Sequence, residues 1–143
     1  MARIEESIAI KRPVDKVFAY VTDAKNWPKW QSFIPEAEQT SPGSVGVGAT
    51  FKGISHMMGR NMKWTATATE YDSNKKWSKN ITSGNMAIEE HVTCNPAEGG
   101  TNFSIAYDMK AGGFLKLLSP LMASSMRKET KKSLGNLKNI LEA

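Results

Sequence analysis

One cysteine and two histidines in 143 residues leave little material for disulfides, metal ligation or thiol chemistry. Cys94 has no partner for an internal disulfide, so no disulfide framework is expected and the chain suits a reducing compartment. It also lacks a patterned base, and reads as an inert buried thiol rather than a nucleophile. His56 and His91 stand apart from any Cys-x-x-Cys, His-x-x-x-His or acidic cluster, so neither a metal nor another cofactor is expected. Long apolar runs are missing too. None approaches the ~20 residues that cross a bilayer, and no stable membrane insertion is expected. The opening Met-Ala-Arg-Ile-Glu-Glu carries two acids and no apolar stretch of the signal-peptide kind, which points to a cytoplasmic protein. No serine has the context of a nucleophile elbow. The glycine-rich Gly43–Gly48 lacks a terminal Lys-Ser/Thr pair and precedes a strand, so it is not a phosphate loop.

Acidic residues are in deficit, leaving a formal charge of +5. Arg127, Lys128, Lys131, Lys132 and Lys138 cluster near the C-terminus but are mixed with Ser, Thr and Asn, as on a solvated helix face. The other basic residues are scattered, and no nucleic-acid partner is expected. The 40% hydrophobic content supports a core without stapling. Residues 1–143 fit one domain able to bury roughly two-thirds of its unfolded surface. A monomer or weak homodimer is expected.

Ile4, Ile8 and Ile10 share a parity and predict a half-buried strand, stopped by Pro13. Val14, Val17, Phe18 and Val21, three and four apart, predict a short helix with Pro13 near its first turn. Asp23 and Asn26 can cap a second short helical piece through Trp27–Trp30. Phe33 to Pro42 is compatible with an edge strand. Ala49 to Met57 and Arg60 to Tyr71 read as strands joined at Met58-Gly59, and Met62, Trp64, Ala66 and Ala68 alternate with Lys63, Thr65, Thr67 and Thr69. Trp77 to Thr82, Met86 to Cys94 and Thr101 to Met109 complete an antiparallel meander. After Gly112-Gly113 the period changes. Leu115, Leu118, Met122, Met126, Leu134, Leu137 and Leu141 predict a helix of about 28 residues, with a kink or a short first piece ending near Leu118 because of Pro120. Such a one-faced helix needs a partner, and the concave side of a twisted sheet is the obvious one.

Several of these segments carry a resemblance: Pro13-Val14-Asp15-Lys16-Val17-Phe18, Asp23 to Trp30 with its Trp-Pro-x-Trp, Gly48-Ala49-Thr50-Phe51, Thr69-Glu70-Tyr71-Asp72, and Tyr107 to Gly113. Over residues 3 to 141 the chain resembles the START-like (SRPBCC, helix-grip) superfamily, and within it the polyketide cyclase/dehydrase-like branch. The resemblance implies an α+β fold of order β-α-α-β6-α. About six to seven curved antiparallel strands would wrap a long C-terminal helix, with a cavity between them. The family includes aromatase/cyclases, lipid and hormone binders and chaperone co-activators, and brings no invariant catalytic set.

Within that frame the tryptophans Trp30, Trp64 and Trp77 and the many methionines suggest a cavity wall, or ordinary core packing. Candidate ligand contacts are Met62 and Trp64, Trp77, Ile88 and Glu90, then Phe103, Ile105 and Tyr107 on the last strand. Leu118, Met122 and Met126 would close the cavity from the helix. Glu90 lies on the parity of Ile88 and Val92, where a carboxylate is costly unless paired. It either faces the cavity as an orienting or proton-transferring group, is turned out by a bulge, or pairs with a lysine near the rim. Tyr107 either presents its hydroxyl inward or bonds a helix carbonyl. Glu90, with Tyr107 or His56, is the weak candidate for acid–base work. Three functions remain open on the sequence: binding of a small hydrophobic molecule (lipid, polyketide or aromatic metabolite), a cyclase/aromatase-type reaction, and a protein-interaction or co-chaperone-like role.

Overall fold

Alternating isoleucines do form the first strand: β1 runs Ala2–Ile10, with Ile4 and Ile10 buried. The computed structural model describes residues 2–57, 59–84, 86–111 and 119–143. Pro13, at φ −62°, caps helix α1 (Val14–Val21), which buries Val17, Phe18 and Val21. Asp23 accepts from the backbone N–H of Lys25 and opens a 3-10 turn, Ala24–Asn26. The four-residue α2 (Trp27–Trp30) follows with Pro28 in its first turn, where a missing N–H costs nothing. Trp27 is locked in place, because its indole N–H donates to the Val21 carbonyl at 2.8 Å.

The remaining strands are β2 (Glu36–Gln39), β3 (Thr50–Met57), β4 (Arg60–Asp72), β5 (Lys76–Ser83), β6 (Met86–Ala97) and β7 (Gly100–Ala111). Among the described residues they make one antiparallel sheet of order β1-β7-β6-β5-β4-β3-β2, with β1 and β2 at its edges. The β3–β4 turn uses Gly59 at φ +76°, a conformation other residues adopt only with strain. Alternation in β4 holds from Met62 to Ala68 and then breaks. A register shift between Ala68 and Glu70 turns Glu70 outward to Lys76 and Ser78, and brings Tyr71 inward against Phe18.

The described part of helix α3 (Ser119–Glu142) has 24 residues, about 36 Å at 1.5 Å each. Pro120 sits in its first turn, so the described helix needs no internal break. The expected helical piece ending near Leu118 lies outside the described residues. The buried stripe of α3 is less apolar than expected: Thr130 and Ser133 share it with Met126, Leu134 and Leu137. Thr130 satisfies its hydroxyl by donating to the Met126 carbonyl. The helix is fastened at both neighbours. Lys138 Nζ donates to the Ala9 carbonyl on β1, and Asn136 donates to the Trp30 carbonyl of α2. None of the described helices is long and apolar enough to cross a membrane. The order β-α-α-β6-α, which the resemblance implied, is the order observed.

Candidate ligand cavity

Register across the sheet sets depth. Tyr71, Trp77, Val92 and Ile105 pair in one row, and Cys94 pairs with Phe103 in the next. These rows lie under the short helices, with Trp30 edge-on to Phe103 at 6.0 Å. Two positions toward the other end, Ala68, Lys79, Glu90 and Tyr107 pair across four strands. Beyond them come Ala66, Ile81, Ile88 and Met109, and then Ser83 paired with Met86. A cavity of about 280 Å³ opens on these outer rows, bounded by Trp27, Gln31, Phe33 and Ile34 on one side and Met126 of α3 on another. Arg60, exposed at the start of β4, stands at its rim with Met62 and Ser55.

Six of the expected contacts line this space: Met62, Trp64, Ile88, Glu90, Tyr107 and Met126. Trp77, Phe103 and Ile105 do not. They point to the expected face but are buried in the closed rows, because period-two alternation determines the face and says nothing of depth. His56 is also outside: it is exposed, and its Nδ1 lies 2.6 Å from Asn61 Oδ1. Leu118 and the side chain of Met122 lie outside the described residues. The sequence reading missed Trp27 and Lys79 above all. Trp27 sits in the Trp-Pro-x-Trp segment quoted for the fold, and its ring forms part of the wall.

The floor of the cavity is polar. Lys79 Nζ is 3.2 Å from Glu90 Oε2, and both side chains are almost fully buried. The same ammonium lies 3.5 Å from the centroid of the Trp27 ring and 5.0 Å from that of Trp77. Tyr107 completes the row as the β7 partner of Glu90. Of the alternatives for Glu90, the structure selects inward orientation with a lysine partner, but deep on the floor rather than at the rim. Burial lowers the Lys79 ammonium from its ordinary value, an effect opposed by the charge and hydrogen bond of Glu90. Burial, reinforced by the Glu90 carboxylate, raises the Tyr107 phenol well above its ordinary value, so it stays protonated. The upper wall carries one unsatisfied donor. Trp64 Nε1 is buried without a hydrogen-bond partner among the described residues. Gly53, paired with Trp64, makes room for that indole: a Cβ there would meet the ring at 2.5 Å and the Glu36 carbonyl at 2.2 Å.

Elsewhere, Cys94 is buried and its thiol is pushed up to about 12 by desolvation, as suits an unreactive sulfur. On the outer face of the sheet, Glu89, His91 and Asp108 place ligand atoms within 4.8 Å of one another. Arg3 already engages Asp108 at 2.6 Å, and Ser78 is 2.9 Å from His91 Nδ1, so this group reads as a surface ion network.

Known structures share the fold. A protein from Thermus thermophilus superposes with a TM-score of 0.84 at 16% identity, covering 99% of this chain and 97% of its own. A START superfamily protein from Mycobacterium smegmatis gives 0.83 at 10% identity, with 98% and 97% covered. The Zhui aromatase/cyclase from Streptomyces sp. R1128 gives 0.82 at 11%, with 99% and 93% covered. Identities this low establish the fold alone. No curated protein matches the sequence. The family model described as "Polyketide cyclase / dehydrase and lipid transport" matches residues 1–142, and with the helix-grip architecture it shows that the chain belongs to this family.

Proposed function

We propose that the protein binds one small, mostly apolar molecule carrying an oxygen acceptor, in the cavity between α3, the α2 region and the sheet. The observation that carries this reading is an apolar wall with a few placed polar groups: aromatic and methionine side chains above the Lys79–Glu90–Tyr107 floor, and the Trp64 N–H without a partner among the described residues. At about 280 Å³ the space lies at the small end of ligand sites, roughly 300–1,000 Å³. It suits a fused aromatic ring system or a medium acyl chain better than a two-chain lipid. The test is titration with small aromatic and medium-chain acyl compounds, followed by calorimetry and native mass spectrometry. Saturable one-to-one binding that Ile88→Trp abolishes is expected. Failure of the whole series to bind would overturn the reading.

A cyclase-type reaction is the second reading, and the polar floor favours it. More than one proton-carrying group converges there, and the fold is shared with an aromatase/cyclase. Glu90 would accept the proton that enolises a substrate carbonyl, with Tyr107 beside it on the neighbouring strand. Glu90→Gln should then bind substrate and lose turnover by about 10²-fold or more. Unchanged turnover removes Glu90 from that role. A protein-interaction role has less support, since the tryptophans and methionines leave the cavity open rather than filling it.

A further inference from the structure

Lys79 is the one lysine that is buried among the described residues, and it stands in the middle of β5 on the cavity floor. Stability does not account for it. Withdrawing an ammonium and a carboxylate from water costs about what their attraction returns, and an apolar pair of equal volume would serve as well or better. The surroundings are specific all the same. Glu90 Oε2 lies 3.2 Å from Nζ, the Trp27 ring 3.5 Å, and the Trp77 ring 5.0 Å on a farther side. This is a fixed cradle for one positive charge centred on one nitrogen, at the edge of an apolar space.

We infer that Lys79 captures an apolar aldehyde or ketone as a protonated imine, with Glu90 as the counter-ion and proton carrier. The inference rests on the ligand-binding reading of the same cavity. The cradle suits this product because an iminium keeps the charge and the nitrogen where the ammonium had them. Glu90 first takes a proton from Nζ, freeing the amine lone pair. The lone pair attacks the carbonyl carbon, the C=O π pair moves to oxygen, and proton transfer gives a neutral carbinolamine. The acid form of Glu90 then returns its proton to the carbinolamine oxygen. The C–O bond breaks, water leaves, and the nitrogen lone pair closes the C=N bond. Ammonium, carboxylate and carbonyl have become iminium, carboxylate and water, with charge and atoms conserved. Burial, which lowers the ammonium from its ordinary value, assists the first transfer. The apolar wall holds the carbonyl compound and excludes bulk water, which would otherwise reverse the condensation.

The experiment uses 2-naphthaldehyde with sodium cyanoborohydride, and 2-naphthalenemethanol as the carbonyl-free analogue. Calorimetry with the alcohol reports the cavity alone. Peptide mapping after reduction reports the imine. The expected result is a single naphthylmethyl adduct on Lys79, formed at least about tenfold faster than on any exposed lysine because the carbonyl is held beside the amine. Excess alcohol should suppress it while leaving surface labelling unchanged. In Lys79→Met/Glu90→Gln, which removes both charges together, the fast adduct should be lost while surface lysines are labelled at the parent's rate. Alcohol binding with Lys79 unlabelled, or labelled no faster than surface lysines, overturns the inference and leaves the binding proposal standing. Absence of alcohol binding together with absence of fast labelling overturns the inference, and failure of the whole aromatic and acyl series to bind overturns the binding proposal as well.

Discussion

Replacing Glu90 by Gln leaves the Lys79 ammonium, otherwise 3.2 Å from a carboxylate, without its counter-charge on the cavity floor. Removing one member of such a pair should cost about 3–5 kcal/mol, and Lys79→Met should cost a similar amount. The double variant should regain most of this, since no orphan charge remains. Urea unfolding of the four proteins checks it, and simple additivity of the single losses would refute the coupling. Cys94 supplies a pH test. Its thiol, ordinarily near 9.0, is pushed up to about 12 in the folded protein. Between these values the unfolded chain has released the proton and the native state retains it, so stability falls as pH rises. The slope from this one group is about 1.4 kcal/mol per pH unit. Cys94→Ala should flatten the pH 10–11 limb of the unfolding free energy by about that slope, and an unchanged slope would count against the buried thiol. The pairing of Lys79 with Glu90 had a signal in the sequence. Lys79 shares the parity of Trp77 and Ile81, and reading Gly84-Asn85 in the sequence as the turn implies Ser83 opposite Met86 and Lys79 opposite Glu90, which is the register found. Parity alone, without that turn register, could not name the partner.

At the scale of elements, β3 carries a tight constraint beside the cavity. Ala37 on β2 and Trp64 on β4 both pair with Gly53, whose Cα is covered by the Glu36 carbonyl and the Trp64 indole. A methyl there meets backbone on one side, which cannot rotate away. Gly53→Ala is therefore expected to destabilise by about 1–3 kcal/mol and to change the Trp64 environment. Thermal unfolding and tryptophan emission, with Trp64→Phe as the spectral control, measure both. A variant as stable as the parent would contradict the close packing. On α3, Leu137 is fully buried, and Leu137→Ala should cost about 2–5 kcal/mol by chemical denaturation. Periodicity identified that helix, α1 and the meander strands, and capping residues identified the second short helix. Periodicity could not foresee the shift after Ala68: the alternation lapses at Glu70, and only pairing with β5 reveals the extra residue.

For the whole molecule, a cavity ligand couples to folding because it binds the native state alone. At about a hundred times its dissociation constant it should add ~2.7 kcal/mol to the unfolding free energy, and raise Tm by on the order of 5–10 °C. Ile88→Trp, filling the space from β6, should abolish that shift while keeping the far-ultraviolet circular dichroism of the parent. A shift that survives in Ile88→Trp would place the ligand elsewhere. The sequence by itself determined the order of elements and the inward face of the regularly alternating strands, and its motifs carried the resemblance that implied the helix-grip architecture. Those follow from local periods of 2 and 3.6 residues, from proline and glycine punctuation, and from short motifs. Tertiary structure alone decided depth. Trp77, Phe103 and Ile105 share their parity with the cavity lining, yet lie in rows that the short helices close. It also brought Trp27, more than fifty residues away in the chain, to within 3.5 Å of Lys79. Depth and such meetings depend on which layer covers which part of the sheet, and that is set by packing between distant segments rather than by any local pattern.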